Sequence, residues 1–181
     1  MKIGVIVGST REGSYNKKLA KVFEHIGQER NLEVNLLEIE NLPMFSQDIE
    51  KDKIESVNSL REGVSNSDAI IIITPEHNLS IPAVLKNALD WLSRVENPMI
   101  GKAGMIAGAS MGFLGTVNAQ NHLREILESP GLGLITMPGN KIYIGEAQRK
   151  FDSEGKLSDY NTKKFIESVF DEFVQWIEKI K

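Results

Sequence analysis

Short apolar runs rich in β-branched residues recur along this chain, separated by stretches with helical periodicity. This alternation limits the folds open to it more than any other feature. The runs lie at Lys2–Val7, Glu33–Ile39, Ala69–Thr74, Gly104–Ala107 and Leu134–Met137. Such a pattern predicts an α/β fold with a parallel sheet and crossover helices on both faces. Among the helical stretches, Leu19, Val22, Phe23 and Ile26 form one apolar stripe. Phe165, Ile166, Val169, Phe170, Phe173, Trp176, Ile177 and Ile180 form another near the C-terminus. Their spacing is that of a packed helix face, so these aromatics read as core rather than as ligand contacts.

A chain of 181 residues has room for one substantial core, and a single domain over residues 1–181 is expected. The net charge of −4 and the scatter of basic residues give no electrostatic reason to expect nucleic acid. The chain contains no cysteine, which excludes disulfides, thiolate catalysis and cysteine-ligated metals. Any redox chemistry would therefore belong to a bound cofactor. The longest apolar run, Ala69–Ile73, is far shorter than the roughly 20 residues a membrane span needs. No signal peptide is recognised, and a cytoplasmic protein without membrane partners is expected. No pair of histidines has metal-ligand spacing beside a carboxylate, so no metal site is expected.

Chemistry concentrates where the strand patterns end. The first strand runs into Gly8-Ser9-Thr10-Arg11-Glu12-Gly13-Ser14-Tyr15-Asn16. Ser9, Thr10, Ser14 and Asn16 offer hydroxyl and amide donors, Arg11 offers a guanidinium, and the following helix directs free N–H groups to the same place. An anionic group is expected here; the plainer alternative is a polar N-cap and nothing more. The loop lacks Gly-x-x-x-x-Gly-Lys-Ser/Thr, which disfavours a nucleoside triphosphatase. It also lacks Gly-x-Gly-x-x-Gly, which disfavours a dinucleotide held in the usual way. A single terminal phosphate fits best.

The third strand leads into Thr74-Pro75-Glu76-His77-Asn78-Leu79-Ser80-Ile81-Pro82, followed by a helical pattern over Ala83–Trp91. In a doubly wound sheet of strand order 2-1-3-4-5, the loops after the first and third strands flank one crevice. The prolines stiffen the second loop, whose backbone groups are placed to meet the edge of a planar heterocycle such as a flavin. After the fourth strand, Gly108-Ala109-Ser110-Met111-Gly112-Phe113-Leu114-Gly115 offers small residues against which a ring can lie. Two further stretches, Asn41–Ser46 and Gly145–Ser158, read as long surface loops. Each either rims a site or subunit contact, or folds back on its own core.

Two patterns carry a resemblance that spans nearly the whole chain: Gly-Ser-x-Arg-x-x-Ser-x-Asn at Gly8–Asn16, and Pro-Glu-x-Asn-x-Ser-x-Pro-x-x-Leu-Lys-Asn-x-x-Asp-Trp at Pro75–Trp91. The sequence resembles the NADPH-dependent FMN reductases of flavodoxin-like fold, which include azoreductases, quinone reductases and chromate reductases. The resemblance implies that Ser9, Arg11, Ser14, Tyr15 and Asn16 surround the FMN phosphate, and Thr10 in the same loop is expected among the cofactor-binding residues. It further implies that Pro75, Glu76, His77 and Asn78 wrap the isoalloxazine, that Ser110, Met111 and Gly112 border it, and that the protein is a homodimer or homotetramer.

One departure is His77, where the family commonly has tyrosine. A histidine beside a flavin would titrate near neutrality and alter substrate packing and pH response; alternatively the side chain points at water. No catalytic acid or base is expected. Glu76 reads as structural, pairing with Lys86 or with an arginine of a neighbouring subunit. In this reading hydride passes from NADPH or NADH to FMN, and the reduced flavin then reduces a small acceptor: a quinone, azo compound, free flavin or chromate. The rival readings are a flavodoxin-type electron carrier and a non-catalytic nucleotide-binding regulator.

Overall fold

The computed structural model describes residues 1–139 and 141–180. Its elements are β1 (Lys2–Val7), α1 (Tyr15–Glu29), β2 (Glu33–Leu37), α2 (Glu55–Ser65), β3 (Ala69–Ile73), α3 (Ala83–Leu92), β4 (Ala103–Ala109), α4 (Val117–Leu127), β5 (Ile135–Thr136), β6 (Ile142–Ile144) and α5 (Tyr160–Ile180). Short 3-10 turns lie at Gln47–Ile49 and Ala147–Arg149. The strands form a parallel sheet of order β2-β1-β3-β4-β5, as the sequence predicts, with β6 also paired to β4.

Helices cover both faces, so the central strands are buried on both sides. Every residue of β3 is buried. Ile3, Val5, Ile71 and Ile73 meet Leu19, Phe23, Phe170 and Phe173 of α1 and α5. Their strand neighbours Ile6, Ile70 and Ile72 point the other way, toward Leu60, Leu85, Leu89 and Leu123 of α2, α3 and α4. Period-two alternation within an all-apolar strand thus feeds two separate cores. At the sheet edge, β2 has no buried residue, and Leu36 is exposed.

The fifth strand departs from expectation. In place of one strand at Leu134–Met137, β5 pairs with Ala103 and Gly104 of β4, and β6 pairs with Ala107, Gly108 and Ala109. The interruption follows Met137, where Pro138 supplies no N–H for a ladder and Gly139 has a φ of +86°. Strand β4 itself is longer than expected, because its small Ala and Gly residues carry little strand signal although all seven are buried.

The α5 stripe is packed through Ile166, Val169, Phe170, Phe173 and Ile177, whereas Phe165 is exposed. Arg30 just beyond α1 holds both oxygens of Asp171 on α5, with Nη2 3.0 Å from Oδ2.

Both long loops fold back. Pro43 C=O accepts from Asn87 Nδ2 at 2.9 Å and from Trp91 Nε1 at 2.8 Å, and Phe45 meets the Trp91 ring edge-on at 5.1 Å. In the second, Ala147 and Phe151 are buried, and Phe151 lies 5.7 Å from the Tyr15 ring.

Candidate functional site

The loops after β1, β3 and β4 meet at the carboxyl end of the sheet, where the winding reverses, and enclose a crevice of about 310 Å3. Ser9, Thr10, Arg11, Ser14, Tyr15 and Asn16 line it from the first loop. Pro75, Glu76 and His77 line it from the second, and Ser110 and Met111 from the third. Of the residues expected from the sequence, Asn78 and Gly112 lie outside the lining. Gly8, Pro82, Val84 and Ala109 belong to it as well. Gly8, Pro82 and Ala109 stand within the three loops singled out from the sequence, whereas Val84 falls at an unspecified position of the second pattern, on a helix face that carries no ligand signal.

The first loop is an anion-ready helix start. Ser14 is the N-cap of α1: its Oγ accepts from Asn16 N–H at 3.2 Å, and the residue is only 2% exposed. Among the described residues the Ser14 hydroxyl proton has no protein acceptor, so it remains available as a donor. The first turn of α1 carries no acidic residue to offset the helix dipole. Arg11 is exposed and has no ion-pair partner among the described residues. Lys17, by contrast, lies 2.6 Å from Glu40 and reaches the Thr10 carbonyl at 3.4 Å, tying this loop to the segment after β2.

The Asn16 side chain has another task. Its Nδ2 donates to Ala109 C=O at 3.0 Å, and its Oδ1 accepts from Ala109 N–H at 2.9 Å. The amide therefore mimics a strand neighbour for the last residue of β4 and clamps the start of α1 to it. It contributes position to the crevice rather than free donors.

Glu76 is structural, as expected, but its partner is not Lys86, which lies 2.6 Å from Asp90. Helix α4 begins at Thr116, whose φ is +67° and whose side chain makes no cap bond. The Glu76 carboxylate caps it instead: Oε2 accepts from the N–H groups of Asn118 and Ala119 at 2.9 and 3.1 Å, and Oε1 accepts from Asn118 Nδ2 at 3.0 Å. A negative group at a helix N-terminus satisfies orphan donors and complements the dipole. The long-range pairing is invisible to local sequence rules because the cap lies some 40 residues before its helix.

The second loop contains a tight turn over His77–Ser80. His77 N–H donates to Ser80 C=O at 2.9 Å and Ser80 N–H donates back at 3.0 Å, with φ of +51° at Asn78 and +64° at Leu79. These are the features of a type I′ turn. The turn consumes the main-chain groups of His77, leaving its exposed imidazole as what it presents. Ser80 Oγ lies 2.8 Å from His122 Nδ1 on α4, a second tie between this loop and that helix.

Behind the third loop, Gly108 permits a close approach. A Cβ there would lie 2.5 Å from Thr74 C=O and collide with Thr116 Oγ1. Ser110 N–H donates to Ile144 C=O, and Ala147 N–H to Ser110 C=O, so β6 and the turn after it brace this wall. All three loops are thus cross-tied: first to third through Asn16, second to α4 through Glu76 and Ser80.

Comparison with known proteins agrees with this arrangement. The profile of the family described as NADPH-dependent FMN reductase matches residues 1–149. A 2-hydroxy-1,4-benzoquinone reductase from a Burkholderia species is 35% identical over 179 residues, covering 98% of this chain and 96% of that protein. The quinone reductase of Escherichia coli K12 is 33% identical over 186 residues, covering 100% and 97%. Among solved structures, the FerB flavoenzyme NAD(P)H:(acceptor) oxidoreductase from Paracoccus denitrificans superposes with a TM-score of 0.89 at 38% identity, covering 98% of this chain and 97% of that one. With the flavodoxin-like sheet order and a crevice at its switch point, this chain belongs to the NADPH-dependent FMN reductase family, enzymes that use FMN as flavin and NAD(P)H as electron donor.

Proposed function

We propose that residues 1–181 form one cytoplasmic FMN-binding domain that oxidises NAD(P)H and reduces a small acceptor, with a quinone as the leading candidate. The observation that carries the reading is the uncompensated donor set at the start of α1: the free Ser14 hydroxyl proton, the Arg11 guanidinium and a first turn without acidic residues. This chemistry fits a phosphate monoester. The small residues Gly8, Ala109 and Ser110 in the lining fit the approach of a flat ring. Quinone as acceptor draws support from relatives named quinone reductase.

The chemistry FMN supplies when bound is two-electron redox, in which NAD(P)H, one proton and a quinone become NAD(P)+ and a quinol. The protein's own part is alignment. Arg11, Ser9, Thr10 and Ser14 bind the anionic end, and Pro75, Glu76, His77 and Asn78 with Ser110, Met111 and Gly112 shape the ring end. Asn16 and Glu76 keep the loops in register without entering the reaction. His77 presents an imidazole where the family commonly has tyrosine, a place from which it influences acceptor packing.

A homodimer or homotetramer is part of the proposal. Leu79, Met111, Phe113 and Leu114, on the second and third loops, are 62 to 84% exposed, more apolar surface than a lone subunit commonly presents at one rim. Light scattering on the purified protein reads the mass directly; a monomer overturns this part.

The test of activity is anaerobic mixing of FMN-loaded protein with NADPH and, separately, NADH, followed by addition of a quinone. Loss of the yellow oxidised-flavin absorbance and its return on adding quinone is expected, and the ratio of the two rates identifies the donor. Flavin that binds but stays oxidised would favour an electron carrier, and failure to bind FMN would refute the site.

A further inference from the structure

A second cavity lies between α1 and the turn at residues 152–158. It encloses about 500 Å3, within the range of small-molecule sites. Val22, Ile26 and Leu157 supply apolar wall, and Lys18, Lys21, Lys156 and Lys163 surround it with Glu154 as the lining's one carboxylate. Four ammonium groups against one carboxylate is a local reversal in a chain of net charge −4.

Part of that charge is already used. Lys156 lies 2.8 Å from Glu154, Lys163 lies 3.8 Å from Glu167, and His25 lies 3.1 Å from Glu29. Lys18 and Lys21 form no ion pair among the described residues. The Lys18 ammonium sits 4.9 Å from the centre of the Tyr15 ring.

The rim is a built turn rather than a loose loop. Gly155 N–H donates to Asp152 C=O at 3.0 Å, Asp152 N–H to Lys156 C=O at 2.9 Å, and Lys156 N–H to Asp152 Oδ1 at 2.8 Å. Phe151 and Leu157 pair across its base. Gly155, with φ of +84°, rests on the Lys18 stem, and a Cβ there would come within 3.1 Å of Lys18 Cε. The glycine both allows the turn and leaves room for the lysine.

We propose that this groove binds a small amphipathic anion. Its carboxylate or sulfonate head would lie between the Lys18 and Lys21 ammoniums, and its apolar body against Val22, Ile26 and Leu157. An inorganic anion would leave the apolar wall unused, and a neutral apolar molecule would forgo the charge-assisted contacts that the two ammoniums offer. The site is separate from the crevice of the FMN reading and does not depend on that reading.

The test is calorimetric titration of decanoate, decanol and inorganic phosphate into FMN-saturated protein, so that the crevice is filled. The flavin spectrum reports that filling independently. Saturable decanoate binding, weakened by added salt, is expected. A Lys18→Glu, Lys21→Glu double variant should weaken it at least about tenfold, because two charge-assisted contacts become repulsive. Decanol or phosphate binding as tightly as decanoate overturns the proposal, as does affinity unchanged in the variant or no saturable binding. Hydrogen exchange of the unaltered protein gives a second reading that does not depend on the variant folding. Decanoate should slow exchange in residues 152–158 and in α1, and slowing confined to other segments refutes the placement.

Discussion

Replacing Asn16 with leucine removes the clamp between α1 and β4 while keeping side-chain size similar. Asn16 is 3% exposed and Ala109 is 2% exposed, so neither Ala109 main-chain group can turn to water when the amide is gone. Each buried orphan costs about 1–3 kcal/mol. The two together give a loss of roughly 2–6 kcal/mol. For a chain of this size, at about 2–4 °C per kcal/mol, Tm falls by roughly 4–24 °C. Thermal and guanidinium unfolding followed by circular dichroism measure this. An Asn16→Asp variant separates the amide's two functions. One carboxylate oxygen still accepts from Ala109 N–H, but the other faces the Ala109 carbonyl, which raises the folded-state pKa of the new group. Its stabilising contribution is then present below the unfolded value of about 3.9 and lost as pH rises through the folded value. Relative to the unaltered protein, Asn16→Asp should therefore recover stability in acid. A leucine variant within about 0.5 kcal/mol of the original, the range of an ordinary surface change, or a pH-independent aspartate variant, would refute the clamp.

Arg11→Ala should weaken FMN binding by roughly 1.5–3 kcal/mol, the scale of a hydrogen bond to a charged group, and equilibrium fluorescence titration of FMN measures it; unchanged affinity would remove Arg11 from the phosphate site. His77→Tyr should preserve flavin binding yet change the KM for quinone, and steady-state rates over a quinone concentration series decide this. Gly108→Ala forces a methyl onto Thr74 C=O and Thr116 Oγ1, so a loss of roughly 1–3 kcal/mol or more is expected from overpacking; near-neutral denaturation would show that the backbone yields there. Asp159 accepts from Thr162 N–H at 2.8 Å, and the Thr162 hydroxyl and backbone bonds hold its pKa below the usual aspartate range. Its contribution is present above the unfolded value of about 3.9 and lost as pH falls through the folded one, so the protection factors of the α5 N-terminal amides, corrected for the intrinsic pH dependence of exchange, should fall in acid, and should not fall in Asp159→Asn.

Much of the frame was legible because its signals are local. The all-apolar Ala69–Ile73 run reports a strand buried on both faces, and the Leu19, Phe23 and Ile26 spacing reports one face of α1. The crevice loops were legible for a related reason: Ser14 needs only neighbouring residues to cap α1, and Pro75 and Pro82 declare themselves. What escaped was long-range. The partner of Glu76 is the start of α4, and that of Asn16 is the main chain of Ala109, 93 residues away; no periodicity or capping rule joins such pairs. The split of the fifth strand escaped as well, although Pro138 and Gly139 mark the break once β6 is seen to resume pairing.

Sequence by itself determined the strand and helix periods, the absence of cysteine chemistry, and the polar loops at three strand ends. Each depends on side-chain type and spacing over a few residues, where sterics and capping act directly. Tertiary structure alone decided which donors are free. Ser14 keeps a hydroxyl proton to offer, Asn16 spends its amide on Ala109, His77 spends its main chain on Ser80, and Glu76 spends its carboxylate on α4. Hydrogen-bonding capacity is a property of the residue, but its availability depends on what the fold brings within 3 Å or so of it.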